Sequence, residues 1–220
     1  MNTAVIERET QREAVPLADT PATPAPRRFT VAEYLAIDEA AERRSEFIAG
    51  EIVPMPGASR VHVRIVTNIV YELQSQVMGR PCDVFSNDTR VRATNYYYPD
   101  AGVVCGDYLV DNRQLDTLTN PTVLIEVQSP STHGVDRGVK LRDYLRLPSL
   151  RTYLLVSQDA ALIEQHERAP DGEWRVSATQ GLNGVVALPA IRCRLAMEAV
   201  YRRVPLDEAS DDEPDASVGA

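Results

Sequence analysis

PTVLIEVQSPST, residues 121–132, is the stretch on which the fold of this chain turns. Val123, Leu124, Ile125 and Val127 have the aliphatic, β-branched character of a strand buried on both faces. Glu126 interrupts that run. A lone carboxylate in such a strand is costly to bury, so it needs a cation, a buried arginine or an exposed strand face. Side chains alternate along a strand, which puts Leu124, Glu126 and Gln128 on one face and Val123, Ile125 and Val127 on the other. Glu126 and Gln128 therefore emerge together near the C-terminal end of the strand, where open α/β sheets gather their ligand sites.

Working outward, strand-like segments precede this one: CDVFS at 82–86, TRVRAT at 89–94 and DAGVVC at 100–105. Upstream of them, SRVHVRIVTNIVYELQSQVMG places Val66, Ile69, Val70, Leu73 and Val77 on one helical face and stops at Gly79. Further back, EFIAGEIVPM alternates around Ala49-Gly50 as a hairpin, and Thr30 with Glu33 forms a capping box that opens a helix in FTVAEYLAIDEA. Downstream, a second helix is expected from about Val135 to Leu147, followed by three strand candidates in RTYLLVS, AALIEQHER and EWRVSAT. Strands first interrupted by helices and then consecutive predict an α/β or α+β domain, with a central mixed sheet flanked by helices.

That domain is expected to span residues 29–204. Residues 18–28, ADTPATPAPRR, are rich in Pro, Ala and Thr, so 1–28 read as a disordered arm. Residues 205–220 read as a disordered acidic tail. The formal charge is −9, but DEASDDEPDASVGA at the C-terminus holds six acids and no base. Residues 29–203 keep 22 acidic and 19 basic side chains, a balance that neither requires nor forbids a polyanionic substrate. No uncharged apolar run approaches the roughly 18 residues a membrane span needs, and MNTAVIERETQRE is charged where a signal peptide is apolar. The expected compartment is the cytoplasm, with no membrane partner. Cys82, Cys105 and Cys193 are odd in number and lack CxxC spacing, so they read as small buried apolar residues rather than a disulfide framework or zinc site.

Several polar residues could carry chemistry. Asp100 opens an apolar strand behind Pro99, whose fixed φ stiffens the chain there. Alone it reads as a turn residue. Paired with Glu126 on a neighbouring strand, it makes two acids that repel unless a cation lies between them, and hard oxygen donors of this kind suit Mg²⁺ or Mn²⁺. Asp136, Lys140 and Tyr144 recur at four-residue spacing on one helical face. An ordinary surface pair of Asp136 with Lys140 accounts for that spacing too. Yet Lys140 is the only lysine among 23 basic residues, and Lys offers a point charge with a tunable proton that Arg does not. Glu46 is compatible with a solvated strand position. His62 shares a face with Val66, Ile69 and Leu73, the pattern of a core histidine.

The ordered set SEFIAGEIVPM, the His62 helix, YYPDAGVVC, PTVLIEVQSPST, DRGVKLRDYL and PSLRTYLLVSQD resembles the bacterial Uma-two family of restriction-endonuclease-like proteins, a branch of the PD-(D/E)XK nuclease superfamily. The resemblance covers roughly residues 29–204 and implies a restriction-endonuclease-like fold. It further implies that Asp100 and Glu126 bind the divalent metal, with Glu46 as an assisting acid and Asp136 matching the family's acid one turn before the lysine. The wider superfamily has a lysine two residues after the Glu. Gln128 stands there instead, and Lys140 fits the family's displaced lysine on the following helix. The implied activity is Mg²⁺-dependent (or Mn²⁺-dependent) hydrolysis of phosphodiester bonds, with DNA as substrate and a homodimer as the working form. His62 and Gln128 would be accessory, contacting phosphate or orienting water. The missing lysine at 128 and the acidic balance motivate a competing reading, a nuclease-fold module kept for protein interaction or dimerisation. A hydrolase acting on another phosphoester is a third.

Overall fold

The computed structural model of the chain describes residues 27–111, 116–129 and 132–206. The expected arm and acidic tail lie outside these residues except at their inner edges. Helix α1 (Val31–Ala40) opens on the expected capping box, in which the Thr30 hydroxyl accepts from the Glu33 backbone N–H and the Glu33 carboxylate accepts from the Thr30 N–H. Strands β1 (Ser45–Ile48) and β2 (Glu51–Pro54) form the expected hairpin. Ala49 and Gly50 have φ of 51° and 89°, the left-handed pair that a two-residue hairpin turn needs. Helix α2 (Arg60–Val77) starts at Ser59, whose Oγ caps the His62 N–H. It buries the expected stripe with Ile65 added, while Val70 is half-buried at its edge.

Strands β3 (Cys82–Ser86), β4 (Val91–Arg92), β5 (Tyr96–Tyr97), β6 (Ala101–Cys105) and β7 (Val123–Gln128) follow. After β7 comes one helical passage in three parts: α3 (His133–Val135), a π turn (Asp136–Lys140) and α4 (Leu141–Tyr144). Then come β8 (Thr152–Ser157), β9 (Leu162–Arg168), β10 (Trp174–Gln180), β11 (Val185–Leu188), β12 (Cys193–Ala196) and α5 (Met197–Val200). The central sheet has the order β10-β9-β8-β7-β6-β3 and is mixed, because β7 and β8 run parallel while its other neighbours pair antiparallel. A second sheet, β2-β1-β5-β4, carries the first hairpin, and β11 pairs with β12.

Strand β7 is buried along its whole length, as its composition requires. Val123, Ile125 and Val127 enter a core with Ile65, Ile69 and Leu73 of α2, Leu195 of β12 and Val200 of α5. On the opposite face Leu124 joins Tyr144, Leu147, Leu150, Tyr153 and Leu155. Fully burying each aliphatic or aromatic side chain of this size is worth about 1.5–3 kcal/mol, and that gain fixes the strand against both layers. Gly102 of β6 is required by the close approach of its neighbours. A Cβ there would collide with the Phe85 ring and lie 2.8 Å from the Val123 carbonyl oxygen of β7.

The structure departs from the sequence reading in four places. TRVRAT pairs only at Val91–Arg92, and β5, β11 and β12 were not anticipated, being short or polar. The helix expected over 135–147 contains the π turn and ends at Tyr144. The cysteine reading is corrected, since Cys82 and Cys105 are direct cross-strand partners in β3 and β6 and form a disulfide. Cys193 is free and buried, as expected. No helix among the described residues is long and apolar enough to cross a membrane.

Thiol titration of the unfolded, unreduced protein is expected to count one cysteine, and three after reduction. Closing a loop of 23 residues' separation is worth about 3 kcal/mol. Reduction should then lower the melting temperature by roughly 6–12 °C. Three titratable thiols before reduction would remove the bridge from the solution structure.

Candidate active site

Three carboxylates from three elements meet one ammonium group. Lys140 Nζ lies 2.9 Å from Glu46 Oε1 of β1, 3.2 Å from Glu126 Oε1 of β7 and 3.4 Å from Asp136 Oδ1 at the start of the π turn. Glu126 is 3 % exposed and Lys140 5 % exposed, so the cluster is nearly dry. The spacing Asp136, Lys140, Tyr144 brings all three inward, and the Tyr144 hydroxyl donates to Glu126 Oε1 at 3.2 Å. Glu46 Oε1 also accepts from the Tyr98 backbone N–H at 3.1 Å, which ties β1 to the residues leading into β6.

A second pair adjoins the first. Asp100 precedes β6, and its Oδ2 accepts from the Val127 N–H of β7 at 2.7 Å. Its Oδ1 lies 2.9 Å from His62 Nε2 of α2. Asp100 thereby joins both strands and the helix, and both it and His62 retain partial exposure. Burial opposes protonation of His62, but the hydrogen bond and charge of Asp100 outweigh it and hold the imidazole above the usual histidine value.

The segment bearing Lys140 is held by its own buried bonds. Asp143 Oδ2 accepts from Asn95 Nδ2 and from the Tyr97 hydroxyl, each at 2.7 Å. The Tyr153 hydroxyl donates to the Asp136 carbonyl at 3.2 Å. In the π turn the Leu141 N–H bonds to the Asp136 carbonyl five residues back, and such widened turns occur mostly as single turns, frequently at functional sites.

Burial pushes the Glu126 carboxyl well above the usual carboxylate range. Lys140 pulls it down, while the charges of Asp136, Asp100 and Glu46 add to the rise. Burial likewise raises Glu46 and Asp136 against the pull of Lys140. Lys140 behaves in the opposite sense. Burial alone would lower it, but Glu126, Glu46 and Asp136 outweigh that cost and hold it protonated well above the ordinary lysine value.

Among the described residues no three His, Cys, Asp or Glu side chains stand as a ready metal-ligand set. Lys140 itself occupies the position between the carboxylates. The donors nonetheless suit a small divalent cation. They are hard oxygens, they outnumber the cations beside them, and Asp136 Oδ1 is buried with no directed hydrogen bond. Of the residues expected from the sequence, Glu46, Glu126, Asp136 and Lys140 come together, and Asp100 with His62 lies against them. Gln128 is buried at the end of β7 but joins none of these bonds. The sequence reading missed Tyr98, Asn95, Tyr97 and Asp143. The run NYYY directly before Pro99-Asp100 and an acid directly before Tyr144 were the available signals.

A mixed sheet that presents carboxylates on adjacent central strands, served by a lysine from the next helix, defines a protein of the nuclease-fold class with restriction-endonuclease-like architecture. The model of the Uma2 family, described as "Putative restriction endonuclease", matches residues 31–198, and the chain belongs to that family. The uncharacterized protein sll1609 of Synechocystis is 35% identical over 162 residues, covering 72% of this chain and 91% of the relative. A second uncharacterized Synechocystis protein, slr1290, is 30% identical over 189 residues, covering 84% and 97%. A crystal structure from Anabaena variabilis, described as "a putative nuclease belonging to DUF820", superposes with a TM-score of 0.67 at 18% identity, covering 79% of this chain and 97% of that one. The expected fold class and family are thus borne out.

Replacing Lys140 with Met is expected to cost about 3–5 kcal/mol at pH 8, the usual effect of stranding buried charge. Without the ammonium, the carboxyls hold their protons to higher pH in the folded chain than in the unfolded one. Their contribution is then greatest on the acid side and is lost as pH rises through the folded values. Denaturant unfolding of Lys140→Met should therefore show part of the loss regained at pH 5. A deficit equal at both pH values would refute this linkage.

Proposed function

We propose that the chain is a divalent-metal-dependent endonuclease that hydrolyses phosphodiester bonds in DNA. The observation that carries this reading is Lys140, which reaches Glu126 and Glu46 from the helical passage and so replaces the lysine absent at position 128. Asp100 and Glu126 would hold Mg²⁺ or Mn²⁺. Such an ion, when bound, polarises a phosphate and lowers the pKa of a coordinated water.

The chain's own groups divide the remaining work. Lys140, held protonated, offsets negative charge on the phosphate as it builds in the transition state and orients the attacking water. A protonated lysine is not a base, so the water's proton passes to a carboxylate whose basicity burial has raised. Glu46 and Asp136 both have that property and no place in the metal pair, and Glu46, the assisting acid that the family resemblance implies, is assigned the proton. His62 fixes the rotamer of Asp100 and offsets its charge. Gln128 has no charge to contribute to the reaction. A homodimer would present one centre to each DNA strand.

A competing reading, a catalytically silent interaction module, draws on the same cluster because Lys140 there satisfies carboxylates that a metal would otherwise claim. Supercoiled plasmid incubated with Mg²⁺ or Mn²⁺ separates the two. Nicked or linear product is expected, abolished by EDTA and reduced at least about a hundredfold in Asp100→Asn, Glu126→Gln and Lys140→Met. Unchanged cleavage in the first two variants would defeat the assignment, and calorimetry showing no divalent-ion binding would favour the silent module. Parallel reactions with single-stranded DNA, RNA and small phosphoesters define the substrate class.

A further inference from the structure

Strands β7 and β8 end side by side, with Gln128 opposite Ser157. Beyond their C-terminal ends lies a cavity of about 370 Å³ walled by Gln128, Ser157, Asp159, His133 and Arg137, among others. Gln128 follows Glu126 by two residues on the same strand face, about 6.6 Å along the strand. The cavity therefore opens next to the carboxylate centre.

Its donors lie at the wall and directly behind it. Gln128 lines the cavity but is only 7 % exposed, and its Nε2 is buried just behind the wall with no hydrogen-bond partner among the described residues. Satisfied amides are the rule inside proteins, and this one gains its missing partner when the amide turns toward a group bound in the cavity. Arg137 Nε donates to His133 Nε2 at 3.0 Å. That bond ties the His133 ring to the guanidinium. Arg137 Nη1 donates to Glu164 Oε2 at 2.7 Å, and Glu164 Oε1 lies 2.8 Å from His166 Nε2. Two bonds thus fix the plane of the guanidinium. Asp159 is the one acid among the lining residues, and it is exposed to water at the rim.

We infer that this cavity is a binding subsite for a non-scissile phosphate of the nucleic-acid strand, held by the Arg137 charge and by the Gln128 amide. The His133 ring forms part of the same wall. Guanidinium and amide N–H groups are the side chains that position nucleic-acid backbones. The subsite gives Gln128 a role that the loss of a lysine at that position left open. It rests on the reading of the chain as a nuclease only in requiring that nucleic acid enters this cleft.

The test is binding of a fluorescein-labelled DNA duplex to the full chain carrying Glu126→Gln, in Mg²⁺, over a range of salt. Adding Arg137→Ala should weaken binding by about tenfold or more. It should also reduce the slope of log affinity against log salt by about 0.9, one phosphate contact fewer. Adding Gln128→Leu should weaken binding with the slope unchanged. The same change should raise the melting temperature, because it removes an unsatisfied buried amide. A purely structural glutamine would move the melting temperature down. Unchanged affinity and slope in a folded Arg137→Ala protein would overturn the subsite even if the parent chain cuts plasmid. Should Arg137→Ala unfold, Gln128→Leu decides: stabilisation with undiminished affinity, or destabilisation, overturns the subsite. Conversely, the expected salt slopes in a chain that never cleaves would uphold the subsite and defeat the nuclease.

Discussion

One ammonium group among three buried carboxylates is the constraint around which the centre of this molecule is arranged. Glu46, Glu126 and Asp136 come from a hairpin, a core strand and a helical turn that are far apart in sequence, and Lys140 is the charge that makes their meeting tolerable. Taking each of these groups out of water is expensive, and attraction offsets the cost only when the geometry is close and the leftover lone pairs are bonded. The Tyr144 hydroxyl and the Tyr98 N–H supply such bonds. Burial still raises all three carboxyls, with Glu126 well above the usual carboxylate range.

The rest of the architecture serves this meeting point. Strand β7 is clamped between two apolar layers, so Glu126 cannot turn away from the side on which Leu124 is buried. The absence of a side chain on Gly102 lets β6 and Phe85 close against β7. Asp100 then reaches across to the Val127 N–H and fixes the register of the two strand ends. Asp143, bonded by Asn95 and Tyr97, anchors the helical passage to the second sheet and sets the depth to which Lys140 enters. Packing thus supplies the positions, and polar bonds supply the orientations.

Much of this was legible in the sequence because it depends on period. Alternation along PTVLIEVQ separates Glu126 from its apolar neighbours, and four-residue spacing puts Asp136, Lys140 and Tyr144 on one face. The apolar stripe of α2 was readable for the same reason. What was not legible depends on register or on backbone groups. The bridge between Cys82 and Cys105 exists because β3 and β6 pair with those residues opposite, which no spacing rule reveals. The Tyr98 contact is made by a main-chain N–H, which any residue would offer. His62 read as a core histidine, since its aliphatic neighbours on the helix gave no hint of Asp100 across the sheet. Gln128 could be seen as a departure from the superfamily pattern, but only the cavity beyond β8 shows what surrounds it.

The π turn over Asp136–Lys140 has a consequence for chain length. A π turn holds one more residue than the α turn it replaces, and the flanking helical pieces continue in their usual geometry on either side. A relative one residue shorter between these two positions would keep the helix, the sheet and both cores. It would close the turn to an ordinary α-helical one, and each residue of such a helix advances by about 100° around the axis. Its lysine would meet the strands from a different angle, with the fold intact. A single-residue length difference at this turn is therefore a marker by which members of the family with the same overall shape can be sorted by the state of their centre.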